Sequence, residues 1–401
     1  MDHLTDADRR ALERLQQTQP AITGLCRGRD ILPGDRRCLL HAGPTFDSSD
    51  GVSEPVRSSA VMAALVEGWA ADEADAEQQL ADGTITLEPA QDHDAVVPLA
   101  GVIAPSTALL IVADPQRPQA RCLTPINEGT GPALRLGHRE PELLQLLPWI
   151  NGELAETLDR ALAEPLPTMS IIARALQQGD DCHGRTIAAT SLLHAELARR
   201  LSSGAATERA LAFIAAAPPF FLNPCMASSR LLLQAAAGVA ESTVVTAAGG
   251  NGSRFGIQLA GRPGHWITVA ATPPRAVLPE DCAEDDACGA IGDSAVVDVF
   301  GLGGMALRFA PKQVEQLQAV LPEGWPTRPD ELLAIELPEE DGVMIRTGLT
   351  GAACVQSGRT PLITLGVLDR HGRRGRIAGG VYEPPVSLFR DAVVALEDAR
   401  S

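Results

Sequence analysis

The chain has 401 residues, 45% of them apolar, 21% charged and only 3% aromatic, with a formal net charge of −18. That length allows two or three domains with cores of their own, and the apolar share excludes a disordered chain. The acidic balance excludes a general nucleic-acid or acidic-membrane binder, whose unspecific affinity rests on clustered Lys and Arg.

The first residues, Met1 to Asp8, carry acids where a signal peptide needs an apolar core, and no run of about 18 apolar residues occurs. The sequence therefore predicts a cytoplasmic protein that does not associate with membranes. Eight cysteines are scattered without a Cys-x-x-Cys or a paired His. Most read as small core residues or spectators, and nothing implies a metal or a cofactor.

In chain order, a helix is predicted over residues 5–18, then a short apolar strand at Arg37–His41 ending in Ala42-Gly43-Pro44. Helical spacing returns over 56–69, with Val61, Met62, Leu65 and Trp69 on one face, and continues over 71–80. Strand-like runs follow at 84–87, 95–99 and 108–113. From Glu140 to Gly238 leucine and alanine recur at spacings of three and four, so this third reads as helical. Strands return at 242–246, 255–259 and 265–269, Gly-Gly pairs stand at 249–250, 303–304 and 379–380, and a helix closes the chain near 388–399. The predicted fold class is mixed α/β or α+β. Mixed domains over 1–138 and 239–401 flank a mainly helical domain over 139–238.

Four segments carry chemistry. Gly179-Asp180-Asp181-Cys182-His183-Gly184-Arg185-Thr186 sets two acids, a thiol, an imidazole and a guanidinium ahead of the apolar run starting at Ile187. At a helix N-terminus the free N–H groups favour an anion, and Arg185 adds a two-pronged donor. Asp180 or Asp181 would cap the helix or fix the tautomer of His183. The same residues equally suit a capped, solvated surface helix. In Asn127-Glu128-Gly129-Thr130-Gly131, the glycines let backbone approach a ligand and Glu128 suits a general base or an amine acceptor, although turn chemistry alone also explains it. Gly249 to Gly256 reads as an Asn-Gly hairpin that can present Asn251. Gly292-Asp293-Ser294 and the later Gly303-Gly304 pair read as structure or site at even odds.

Phosphate-loop, serine-elbow and His-Glu-x-x-His patterns do not occur. Ser357-Gly358-Arg359-Thr360 matches the phosphate loop of ordinary carbamoyltransferases too briefly to count. The basic run Asp369 to Arg376, punctuated by glycines, is predicted to be a solvated hairpin turn.

Taken in order, several segments form a pattern. They are Leu39 to Pro44, Glu67-Gly68-Trp69-Ala70 with Asp72-Glu73-Ala74, Asn127 to Gly131, and Gly179 to Arg185. Phe220-Phe221-Leu222-Asn223 with Met226-Ala227, Asn251-Gly252 with Phe255-Gly256-Ile257, Gly292 to Ala295, and Thr360 to Ile363 complete it. This series resembles the YlbE-like family, which includes a subunit of bacterial oxamate carbamoyltransferase. The resemblance runs from about residue 35 to the C-terminal helix.

It implies a cytosolic oligomer in which oxamate and carbamoyl phosphate are interconverted with oxalurate and phosphate. It also implies an assembly with an FdrA-like partner subunit and a small accessory subunit. Carbamoyl transfer needs the acceptor nitrogen held against the carbamoyl carbon, donors on the phosphate and the developing oxyanion, and a base. On that chemistry Arg185 is expected to take the anion and His183 to transfer a proton or donate to the carbonyl. Glu128, Asn127 and Gly129 are expected at the acceptor nitrogen. Asn251, Gly303 and Gly304 would hold a carbonyl or carboxylate, with Asp293, Ser294 and His41 supporting substrate.

The sequence departs from that family at Gly250, Thr350, Gln356 and the Thr364-Leu365 pair, where relatives carry an arginine, two acids and an Asn-Thr pair. These departures allow a different acceptor. They also allow a non-catalytic scaffold subunit, whose pocket and alanine-rich helices dock a catalytic partner. A third reading is an acyl transferase using Cys182 or Cys225 as nucleophile.

Overall fold

The computed structural model describes residues 4–398. The first residues of the acidic N-terminal segment and the last residue of the predicted closing helix, Ala399, lie outside that range. The protein is of the mixed α and β class, and its described residues form five small sheets with helices that separate and cover them.

The first helix, Asp6–Gln16, starts in a capping box between Thr5 and Asp8. The other Asp8 oxygen accepts from Ser242 Oγ at 2.9 Å and the Thr243 N–H at 2.7 Å, tying the helix to the chain ahead of the Val245–Asn251 strand. Those contacts explain why that strand begins three residues later than its sequence pattern suggests. Ala21–Arg27, Ala108–Asp114 and Arg117–Pro125 form an antiparallel sheet with the two-residue strand Leu166–Pro167. Arg37–His41 sits between Ile85–Pro89, its parallel partner, and Val102–Ile103.

The run 95–99 is not a strand. Ala95 makes one isolated bridge to Leu123, after which Val97 gives its N–H to Asp293 Oδ2 at 2.9 Å and receives the Asp293 N–H at 3.0 Å. Pro98 has no donor and Leu99 takes φ +49°, so no ladder can continue. An apolar run buried by a side-chain contact looks like a strand in sequence.

The middle of the chain is helical, as its leucine spacing predicts. Leu222–Ala235 is its hub, with Cys225, Met226, Arg230, Leu231 and Leu233 all buried. It lies against the first sheet, the Val245–Asn251 strand and the short helix Ala295–Phe300. Its buried Ser228 hydroxyl is satisfied by Pro224 O and Thr168 Oγ1, both at 2.7 Å. The largest apolar core joins Leu12, Leu154, Phe221, Phe255 and Phe389, drawn from the whole length of the chain.

Asn251-Gly252 turns the hairpin between Val245–Asn251 and Arg254–Leu259 as predicted. Asn251 Oδ1 accepts from the N–H groups of Ser253 and Arg254 at 2.9 and 2.7 Å, and Gly252 takes φ +87°. A second hairpin, Ile363–Leu368 with Arg376–Tyr382, is closed by the basic run, whose backbone folds around the Asp369 carboxylate. Among the described residues no helix is long and apolar enough to cross a membrane.

Candidate active site

Residues 179–186 join the helices Met169–Gln177 and Ile187–Arg200 and are folded by their own aspartates. Asp180 Oδ2 accepts the Ala189 N–H at 2.9 Å, capping the following helix, and Asp181 Oδ1 accepts the N–H groups of His183 and Arg185 at 2.8 and 2.9 Å. The expected helix cap is therefore Asp180, whereas Asp181 bonds the loop backbone and the His183 ring is oriented by Asp298 instead. His183 and Arg185 line an open cavity of about 510 Å³.

The cavity is walled by Thr130 and Arg135 from the loop after the first sheet, by the turn at Pro218 and Pro219, and by the hairpin carrying Thr364, Gly366 and Arg376. Ser294 and Gln313 complete it. Its lining contains three arginines, one histidine and no acid, in a chain with 51 acids and 33 Lys and Arg. Low-dielectric walls bearing one sign of charge focus the field on an ion of the other sign.

His183 is held from behind by Asp298, an acid buried in the apolar helix Ala295–Phe300. Asp298 Oδ2 lies 2.6 Å from His183 Nδ1, while Oδ1 accepts the N–H groups of Gly304 at 2.7 Å and Thr364 at 3.0 Å. With Nδ1 committed, Nε2 is the ring nitrogen left for a ligand. Burial alone would push the imidazole down, but the charge and hydrogen bond of Asp298, helped by Asp181, outweigh it and hold His183 above its usual range.

The Gly303-Gly304 pair serves this dyad. Gly303 has φ +54°, and a Cβ there would lie 2.3 Å from Asp298 Oδ1. Its N–H goes to Asp181 O at 2.8 Å and that of Gly304 goes to Asp298, so both donors expected to hold a substrate carbonyl are used within the protein.

Glu128 does not line this cavity. Its carboxylate lies 3.3 Å from Arg135 Nη1, and Arg135 Nη2 donates to Gly129 O at 2.6 Å, so this loop acts through Arg135, which does reach the cavity. Burial pushes the Glu128 carboxyl up against the opposing pull of Arg135. Asn127 clamps the loop, donating to Pro219 O and Asn223 Oδ1 at 3.1 and 3.0 Å and accepting the Gly129 N–H at 3.0 Å.

Asn251, Asp293 and His41 lie elsewhere as well. Asn251 is consumed by its hairpin and by Pro44 O, 2.8 Å from its amide nitrogen. Asp293 is buried and accepts from the N–H groups of Gly43 and Val97 and from Gln91 Nε2. His41 is buried beside Phe46, its Nδ1 2.8 Å from Ala42 O. Apart from His183 and Arg185, Ser294 alone of the residues expected to bind substrate lines the cavity. The Cys182 thiol is buried, and its contact with Cys225 together with burial pushes it well above its usual range, opposite to what a nucleophilic thiolate requires.

Residues 85–294 match the family described as oxamate carbamoyltransferase subunit AllG. The chain belongs to the AllG family. Over 99% of its length it is 27% identical to the oxamate carbamoyltransferase subunit AllG of Escherichia coli K12, covering 98% of that protein. It is 30% identical to the E. coli K12 protein YahG over 98% of its own length and 86% of the other. A crystal structure of a conserved protein of unknown function from Enterococcus faecalis V583 superposes with a TM-score of 0.89 at 27% identity, with 98% of this chain and 97% of that one covered.

The AllG match ends at residue 294, ahead of two groups that sequence reasoning missed: Arg376, which lines the cavity, and Asp298, which stands behind His183. An acid inside the apolar run Ala295 to Phe300 was the available signal for Asp298, because a lone buried carboxylate needs a partner. Thr350 and Gln356 line a separate surface pocket, and Thr350 Oγ1 caps a helix by accepting the Ala353 N–H at 3.1 Å. At Gly250 a Cβ would lie 2.1 Å from Ala290 O, so this backbone has no room for the side chain expected from the family pattern. Of the departures, only Thr364 and Leu365 border the arginine-lined cavity.

Proposed function

We propose that this chain is a carbamoyltransferase subunit that moves a carbamoyl group between carbamoyl phosphate and a small carboxylate-bearing amide or amine such as oxamate. The observation that carries the reading is the acid-free cavity, lined by Arg135, Arg185 and Arg376, with His183 fixed at its wall by Asp298. Membership of a family described by an oxamate carbamoyltransferase subunit supports it.

In this reading Arg185 takes the phosphate, and the acceptor nitrogen attacks the carbamoyl carbon as its bond to the phosphate oxygen breaks. His183, whose protonated form Asp298 favours, donates from Nε2 to the carbamoyl oxygen as charge develops there. The proton lost from the acceptor nitrogen leaves on the departing phosphate, so no covalent enzyme intermediate and no cofactor is needed. Glu128 holds Arg135 rather than the acceptor.

Phosphate release from carbamoyl phosphate on adding oxamate, measured for the chain alone and for its purified assembly, tests the reading. Release that disappears in His183→Ala and Arg185→Ala with the fold intact supports it. A second reading, a scaffold within a multi-subunit transferase, is favoured by the exposed Ile187 at the cavity rim, where a partner could close the site. An assembly that keeps full activity with both variants would establish that alternative.

A further inference from the structure

Arg376 belongs to the basic run that sequence reasoning places in a solvated turn, yet its side chain reaches the cavity. The other two cavity arginines have acids behind them: Glu128 lies 3.3 Å from Arg135, and Asp180 lies 3.5 Å from Arg185. Among the described residues no carboxylate pairs with Arg376. Its Nε donates to Ala378 O at 3.0 Å, which leaves the two terminal nitrogens, the prongs that grip a carboxylate, without an acceptor.

The strands beneath it are cut away to make room. Gly366 and Gly379 are register partners in the hairpin, a position where a sheet ordinarily carries two side chains. A Cβ at Gly379 would lie 3.0 Å from Arg376 Nη2, and one at Gly366 would lie 3.3 Å from Arg376 Nε. The guanidinium therefore fills the space that those side chains would take, and the strand pair below it is a flat floor. Burial and the neighbouring Arg135 charge both disfavour protonated Arg376, and Arg376 in turn opposes protonation of His183. The three cations thus converge on one region of the cavity, and an anion among them relieves that repulsion.

We infer that Arg376, laid on the glycine floor, is the seat for the carboxylate of the acceptor, a small α-carbonyl carboxylate of the oxamate type. This rests on the transferase reading given above and adds to it a residue that selects the acceptor. Arg185 and Arg376 then divide the work, one for the phosphate and one for the carboxylate.

Calorimetric titration of the full chain with oxamate, and separately with inorganic phosphate, tests the assignment. Arg376→Gln is expected to weaken oxamate by roughly tenfold or more, as loss of a charge-assisted bidentate contact does, and to change phosphate affinity less than about twofold. Arg376→Lys keeps the charge but not the fork and should fall between. Gly379→Ala displaces the guanidinium without removing it and should also weaken oxamate. Arg185→Gln should show the reverse preference.

Wild-type oxamate affinity in a folded Arg376→Gln protein overturns the inference and leaves the transferase reading intact. A wild-type chain that binds no oxamate, alone or in its purified assembly, overturns both. Arg376-dependent oxamate binding with no phosphate release from carbamoyl phosphate in that assembly keeps the seat and sinks the transferase reading.

Discussion

His183 Nδ1 lies 2.6 Å from Asp298 Oδ2, and the second Asp298 oxygen is held by the N–H groups of Gly304 and Thr364. The carboxylate is thereby fixed on both sides and fixes the ring in turn. Loss of the imidazole in His183→Ala should lower kcat by roughly 10²–10⁴-fold, the usual scale for a proton donor or acceptor in the transition state. Asp298 is also one of the groups that hold the His183 pKa up, so Asp298→Asn should move the alkaline limb of the pH–rate profile to lower pH. An alkaline limb that stays where it was would show that Asp298 does not set the protonation of His183. The same raised pKa makes the stability supplied by His183 fully present below its unfolded value, roughly 6.5, and lost as pH rises through the folded value. Urea unfolding of wild type against His183→Gln should therefore show the larger difference on the acid side.

Arg185 should behave as a binding group with little structural weight. The carboxylate paired with its guanidinium is Asp180 at 3.5 Å, whose own pKa burial pushes up to about 6. Arg185→Gln is expected to raise KM for carbamoyl phosphate by roughly 10–100-fold, corresponding to about 1.5–3 kcal/mol for a hydrogen bond to a charged group. The melting temperature should stay close to wild type, because the Asp181 carboxylate still folds the loop through the backbone N–H of residue 185. A large loss of stability with unchanged KM would make Arg185 a structural residue.

The segments that could be read in the sequence were those whose chemistry is local. Helical spacing located the helices of the middle third, and Asn251-Gly252 located its hairpin, because 3.6-residue periodicity and turn residues depend on near neighbours. His183 and Arg185 stood out because two acids, a histidine and an arginine crowd one helix start. Asp298 lies 115 residues from His183, and nothing in its apolar surroundings names the partner. Arg376 was read as solvated because a basic, glycine-rich run normally is. Only the hairpin register, which sets Gly366 opposite Gly379, shows where its side chain goes. Asp293 and Asn251 were readable as polar residues with a purpose, but that purpose is to satisfy buried backbone.

Asp293 supplies a direct measure of that structural role. Its carboxylate accepts from the Gly43 and Val97 N–H groups, both at 2.9 Å, and from Gln91 Nε2 at 2.6 Å, all of them buried. Asp293→Ala strands two backbone donors at about 1–3 kcal/mol each, so a destabilisation of roughly 2–6 kcal/mol is expected in chemical denaturation. Asp293→Asn keeps one carbonyl acceptor and should lose less. A folded Asp293→Ala protein of wild-type stability would mean that the segment from Ala95 to Leu99 is held by something other than this carboxylate.

His41 should make the protein sensitive to acid. It is buried against Phe46, its Nδ1 lies 2.8 Å from Ala42 O, and Nε2 is buried without a partner. Burial pushes its pKa down to about 4, so the ring is held neutral in the folded protein. Because the folded value lies below the unfolded one, its stabilising contribution is present above about pH 6.5 and is lost as pH falls through about 4. Wild-type unfolding free energy should therefore drop faster than that of His41→Gln across this window. Comparing the two proteins at each pH cancels the other titrating groups, including Asp293, whose raised pKa works in the opposite direction. Parallel slopes for the two proteins would show that residue 41 takes up no proton on unfolding, and hence that its ring is not held neutral by burial.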